Sequence, residues 1–285
     1  MKKFEYNRQI NYFTIDPAYL AEGLAEAKGK YPNIRVMSLS IRKKQSPLDV
    51  KVVSQHAWIQ GLNIHPDIPI PKVDLPLLER LINLEALALK EHAPLDFSAF
   101  RKLKMLTVIS GTDLPGLDKV RSLEKLYLGL WKADVLPEVI GHIAATDVRI
   151  SVAKKLMSIE PLCHLAHLQK LNLQIIKDLN VGKEINGLKS LQDLYVEKCG
   201  WTDFSPLRID ALRELFASTV ESLRFILQLK NLERLSFWDC VDGDLAPVLE
   251  HPKLKHVDFT PQKKHYTHKE ADLQQQLAER RSRPA

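Results

Sequence analysis

One hexamer, L-x-x-L-x-L with other apolar residues allowed, recurs along most of this 285-residue chain. It is clean in LEALAL (84–89), LEKLYL (123–128), LQKLNL (168–173), LQDLYV (191–196) and LERLSF (232–237). Looser copies are LKMLTV (103–108), ATDVRI (145–150), LRELFA (212–217) and LKHVDF (254–259), and two weaker ones precede them, IRVMSL (34–39) and IQGLNI (59–64). Their first residues stand 19 to 25 positions apart. The fourth and sixth residues of a hexamer lie two apart, so in a strand they share one face and point into a core. The third, fifth and seventh point the other way, and the first leucine turns in at the strand entrance. One such unit cannot bury its apolar face alone, so stacked neighbours must build the core together.

The pattern resembles the leucine-rich repeat superfamily, over about residues 34–260. The resemblance implies an α/β solenoid: a leucine-rich repeat horseshoe of about 11 turns, with a parallel concave sheet and an irregular, short-helical convex side. The ninth position of such a repeat is usually asparagine or cysteine. Here it reads His92, Gly111, Trp131, Ala153, Ile176, Cys199, Val220 and Cys240. The missing asparagines imply an irregular solenoid.

The connecting segments rhyme as well. CGWTDFSPL (199–207) lies over CVDGDLAPVL (240–249) with Asp203 on Asp244, Phe204 on Leu245 and Pro206 on Pro247. HAPLDFSAF (92–100) adds Asp96 and Phe97, WKADVLP (131–137) is a shifted variant, and GTDLPGL (111–117) is shortened. Aspartate suits a helix N-cap, proline fits a first helical turn, and the apolar residue between them faces the core. The ends of a solenoid need caps. DPAYLAEGLAEAK (16–28) predicts a helix begun by Asp16 and Pro17, and HKEADLQQQLAERR (268–281) predicts another with Leu273 and Leu277 on one side. The expected organisation is a single domain over 1–285: an N-terminal cap (1–33), repeats (34–260), and a C-terminal cap with a basic tail (261–285).

Charge and cysteine usage narrow the function classes. The net charge of +6 divides into +5 over residues 1–45, −2 over 46–260 and +3 over 261–285, so the repeats themselves are near neutral. A nucleic-acid binder should carry its positive charge on the working face. Three cysteines do not make a disulfide framework, no apolar run reaches the ~20 residues of a membrane helix, and no apolar stretch follows the two N-terminal lysines. A cytoplasmic protein is expected. The glycine-rich phosphate motifs, G-x-S-x-G and H-E-x-x-H are all absent from the sequence. Cys163, His164 and His167 (CHLAH) and the HYTH stretch (265–268) lack the partner spacing of a zinc site and read as structural. Cys199 and Cys240 fall two strands apart, about 9–10 Å at sheet spacing, too far for a disulfide. No catalytic, cofactor-binding or metal-ligating residue is assigned.

The concave strand surface remains. Its third, fifth and seventh positions carry Tyr127, Arg149, Asp193, Tyr195, Glu197, Glu214, Phe216, Arg234, Trp238 and Asp258. Aromatic and arginine side chains are common interface anchors, and the acidic groups among them fit a basic patch on a partner. The expectation is a non-enzymatic module that binds another protein, with no small-molecule substrate, nucleic acid or membrane. Some stand-alone bacterial leucine-rich repeat proteins are immunity proteins that neutralise a toxin by occlusion, and the resemblance implies that role. A regulatory or scaffold subunit of a cytoplasmic enzyme such as a phosphatase is the alternative, and a nucleic-acid binder through the basic ends is the third.

Overall fold

The computed structural model describes residues 3–39, 46–90 and 95–282, so His92 and the start of the 92–100 segment lie outside it. The chain forms two compact units, Met1–Trp131 with Pro137–Ala145, and Lys132–Leu136 with Thr146–Ala285.

The first unit contains strands β1 (Phe4–Asn7), β2 (Tyr12–Ile15), β3 (Asn33–Val36), β4 (Gly61–Ile64), β5 (Ala86–Lys90), β6 (Met105–Ile109) and β7 (Lys125–Gly129). β1 and β2 form an antiparallel hairpin; from β2 onward each strand pairs in parallel with the next in the chain. From β5 on, each strand begins at the third position of its hexamer. Leu87, Leu89, Leu106, Val108, Leu126 and Leu128 all turn inward and are at most 1% exposed. The strand expected from IRVMSL is displaced. Its inward residues are Ile34 and Val36, paired with Leu62 and Ile64, so the hexamer runs from 31 rather than 34. The parallel ladder also starts earlier than residue 34. INYFTI (10–15) is itself an I-x-x-F-x-I hexamer, and Phe13 and Ile15 pair with Ile34 and Val36. Behind the ladder, Asp16 accepts the Ala18 N–H at 3.1 Å and leads into helix α1 (Leu20–Ala27), which buries Leu20, Leu24 and Ala27. The short helix α2 (Val50–Ser54) is capped in the same way by Asp49.

The second unit contains β8 (Asp147–Ser151), β9 (Lys170–Gln174), β10 (Asp193–Glu197), β11 (Glu214–Val220), β12 (Arg234–Cys240) and β13 (His256–Phe259), in chain order and parallel. Leu171, Leu173, Leu194, Val196, Leu215, Leu235 and Phe237 form the inward rows. The return segments are single 3-10 turns, such as Glu160–His164, Lys183–Gly187 and Leu223–Gln228. Their starts follow the side-chain chemistry: Asp203 accepts from the Ser205 N–H at 2.8 Å, Asp244 from Ala246 at 3.1 Å and Ser222 from Arg224 at 3.2 Å. Asp96 of the first unit does the same for Ser98 at 2.9 Å. Trp201 stacks on Phe204 with centroids 4.3 Å apart, and its indole N–H donates to the Asp203 carbonyl. Gly200 is required because a Cβ there would meet the Lys177 carbonyl oxygen. CGWTDF is therefore a packed joint.

Two features of the turns had no clear sequence signal. Side chains just before the hexamer bond to the neighbouring turn: Asn83 to the Ala57 carbonyl, Ser122 to those of Arg101 and Leu103, and Asn231 to that of Asp210, while at the ninth position the Cys199 thiol donates to the Leu173 carbonyl at 3.5 Å. The eighth position takes the left-handed conformation, at Ser110 and Leu130 in the first unit and at Val152, Ile175 and Lys198 in the second, with φ from 50° to 64°. This conformation bends the chain off the sheet while the amide keeps its partner. Val152 and Ile175 donate to the carbonyls of Gln174 and Glu197, each at 2.8 Å. After β10 the pattern changes. Lys198 N–H donates to the Ser218 hydroxyl at 2.8 Å, and β11 and β12 stay paired as far as Val220 and Cys240.

At the C-terminal end, α3 (Ala246–Glu250) precedes β13, and α4 (Glu270–Ser282) buries Leu273 and Leu277. Gln274 donates to the Val257 carbonyl, and Arg280 to the carbonyls of Leu249 and His251. Tyr266 packs on Phe237 and Phe259 and accepts the Cys240 N–H through its hydroxyl. Among the described residues, no helix is long and apolar enough to cross a membrane.

Candidate functional site

The open face of the second unit is built from three rows, each fixed by strand register. Third positions align Asp147, Lys170, Asp193, Glu214, Arg234 and His256. Fifth positions align Arg149, Asn172, Tyr195, Phe216, Ser236 and Asp258. In the seventh row, Ser151 and Gln174 pair, as do Gln174 and Glu197, while Trp238 takes that position on β12.

The middle of this face is aromatic. Tyr195 and Phe216 stack with centroids 4.3 Å apart and planes 15° from parallel. Trp238 meets Phe216 edge-on at 5.4 Å and is 36% exposed, so a large indole surface stands open to solvent. Lys198 lies over the indole, 5.8 Å from its centroid. Such ring pairs contribute roughly 0.5–1.5 kcal/mol beyond area burial, which holds the rings in place. Glu197 closes one end of the stack: its Oε2 accepts from the Tyr195 hydroxyl at 3.0 Å and from Gln174 Nε2 at 3.3 Å. Burial first, and then this carboxylate, raise the Tyr195 hydroxyl above its usual pKa, so it stays a donor.

Charges around the rings are unevenly paired. Arg234 Nε lies 3.8 Å from Glu214 Oε1. The Asp193 side chain is half-buried and its carboxylate makes no hydrogen bond or ion pair among the described residues. Burial and then the neighbouring Glu214 raise its pKa, opposed by Lys170 and reinforced by Asp147. Beyond the rings, Asp239 is held by Lys263 at 2.6 Å and by the Tyr266 hydroxyl.

Of the ten residues expected on the concave face, Asp193, Tyr195, Glu197, Glu214, Phe216, Arg234 and Trp238 form this one cluster on β10–β12. Arg149 and Asp258 share its fifth row on β8 and β13, and the charge of Arg149 reaches the Tyr195 hydroxyl, partly offsetting the rise in its pKa. Tyr127 belongs to β7 of the first unit, where it pairs with Thr107. Three further seventh positions, Gly129, Ser151 and Ser218, are buried, although the alternation places them on the open face. Lys198 and Gln174 were not singled out from the sequence; each follows or ends a strand whose face is already marked by aromatic neighbours.

The cysteines are not poised for chemistry. Burial pushes Cys163 and Cys240 up to about 12 and Cys199 up to about 11. All three are free thiols; Cys163 and Cys240 are buried and Cys199 is half-buried. Cys163 points into the core while His164 pairs with Glu160 on the surface at 3.0 Å, so the CHLAH side chains diverge. No group of three or more potential metal ligands occurs among the described residues.

Parallel strands advancing one per hexamer, inward leucine rows and short 3-10 returns define a leucine-rich repeat solenoid. No family model matches the sequence, and no curated protein matches it. Solved structures do. The chain is similar to an internalin (InlF) from Listeria monocytogenes str. 4b F2365, at 13% identity over 88% of this chain and 82% of that one, with a TM-score of 0.51. It is similar to a plant ice-binding protein at 17% identity over 85% and 76%, with a TM-score of 0.52. It is also similar to TLR13, solved in complex with ssRNA13, at 15% identity and a TM-score of 0.59, covering 85% of this chain and 41% of that one. At these identities the likeness is one of fold.

Proposed function

We propose that the protein is a non-enzymatic binding module whose β10–β12 face docks another protein. The observation that carries this reading is the solvent-facing aromatic cluster of Tyr195, Phe216 and Trp238, fixed by stacking and by the Tyr195–Glu197 hydrogen bond. Pre-organised rings lose little freedom on binding, and tyrosine, tryptophan and arginine dominate interface energies. The finer reading is an immunity protein that neutralises a toxin by covering its working surface. Ion pairs at the basic ends, Lys3 with Glu22, Lys30 with Glu26 and Lys263 with Asp239, favour structural roles for those charges over nucleic-acid binding.

The test is capture of partners by the intact protein and by a Tyr195→Ala/Phe216→Ala/Trp238→Ala variant confirmed as folded. The variant should lose affinity by roughly thirtyfold or more, the loss of a hot spot. Equal capture would exclude this face. The toxin reading is tested by co-expression with the product of the adjacent reading frame: rescue of growth supports it, and no interaction removes it.

A further inference from the structure

From β8 to β12 the third-position row of the second unit alternates in sign at every step but one. Asp147 is registered with Lys170, Lys170 with Asp193, and Glu214 with Arg234; Asp193 and Glu214 face each other as like charges. Like charges directly opposite on neighbouring strands are destabilising. Lys170 and Arg234 flank this step from the outside, and Arg234 reaches only Glu214. The Asp193 carboxylate is left half-buried without a hydrogen bond or ion pair among the described residues. The acidic step adjoins the rings: Tyr195 and Phe216 stand two residues along the same strands, on the same face. Glu197 bounds the stack at its other end, and both its contacts fall on Oε2. Half-exposed rings with carboxylates at both ends are complementary to a planar cation, which would share the Tyr195 end with the charge of Arg149.

We propose that Asp193, Glu214 and the Tyr195–Phe216 stack form a guanidinium subsite, filled by an arginine side chain of the docked protein. This rests on the protein-binding reading above. A guanidinium satisfies both halves of the site, because its N–H fork bonds two carboxylate oxygens while its plane stacks on a ring. An ammonium would meet the charge but not the flat surface. Two carboxylates with no third ligand among the described residues also fall short of a cation cage.

The probes are N-acetyl-arginine amide and its uncharged counterpart, N-acetyl-citrulline amide, titrated into the intact protein. The amide NMR signals of Glu214 and Phe216 are followed. Arginine amide should give saturable shifts, and citrulline amide should bind roughly tenfold more weakly or worse. Asp193→Asn/Glu214→Gln should weaken the arginine probe by roughly tenfold. Glu214→Gln alone, which keeps the fold under less perturbation, should weaken it in the same direction. Equal binding of the two probes, no saturable shift, or unchanged affinity in both variants would overturn the subsite. The two proposals separate by partner capture. Loss with Phe216→Ala but not with Asp193→Asn/Glu214→Gln overturns the guanidinium subsite alone, and loss with neither overturns both.

Discussion

The two units use the same inward residues and present different open faces. In the first, β5 to β7 show Ala86, Ala88, Met105, Thr107, Lys125 and Tyr127, and the seventh position of β7 is a glycine. In the second, the corresponding rows of β10 to β12 show paired carboxylates, stacked rings and an open indole. Leucine at the fourth position is buried in both, at 1% exposure for Leu126 and 0% for Leu194. The lesson is a division of labour within one hexamer. Alternation along the strand separates the residues that specify the solenoid from those free to specify a partner.

The largest effect tests the shared part. Leu126→Ala and Leu194→Ala should each cost about 2–5 kcal/mol in chemical denaturation, through lost burial and the cavity left behind. A much smaller loss in one unit would mean that its inner row is not equivalent.

The divergent part is tested at matched fifth positions. Phe216→Ala should weaken partner capture by about 2 kcal/mol, whereas Thr107→Ala, one of its counterparts on β6, should leave capture unchanged. Equal losses would erase the functional distinction between the faces.

The charge step gives a smaller effect with a defined sign. Asp193 has its folded-state pKa raised, so its ionised form opposes folding above the ordinary carboxylate range. Asp193→Asn should therefore raise the melting temperature at neutral pH. The gain should shrink as pH falls through the raised pKa and vanish below the unfolded value. A lower melting temperature at pH 7 would show that the carboxylate has a stabilising partner. The third row of β5 to β7 carries no acid, so no such pH term is expected there.

The smallest effect returns to what the units share. Ile175 and Leu130 hold φ near 56° and 50° and are 42% and 47% exposed. A left-handed backbone costs a side-chain-bearing residue roughly 1–2 kcal/mol, and glycine gives back about 0.5–1 kcal/mol in chain entropy. Ile175→Gly and Leu130→Gly should thus each stabilise by roughly 0.5 kcal/mol, read as a small rise in denaturation midpoint. Destabilisation at either site would mean that its side chain packs more than its exposure implies.

Much of this was legible without coordinates. The nine hexamers from 84 to 259 coincide with strands, Asp96, Asp203 and Asp244 cap their turns, and Leu273 and Leu277 anchor the last helix. The weak hexamer at 34 was misplaced by three residues because MSL (37–39) repeats the two-residue spacing of IRV (34–36), and only pairing with Leu62 and Ile64 settles the register.

What the sequence by itself determined is the division into inner and outer residues, because a period of two in a stacked repeat leaves leucine no other place to be buried. Local capping was determined in the same way, since an aspartate bonds an amide two residues on. What only the tertiary structure decided is which outer residues meet. Tyr195 and Phe216 are 21 positions apart and Phe216 and Trp238 are 22, yet each pair is in ring contact. Asp193 faces Glu214 rather than a lysine because turn length sets strand register, and a one-residue change in a loop would send either side chain to the other face of the sheet.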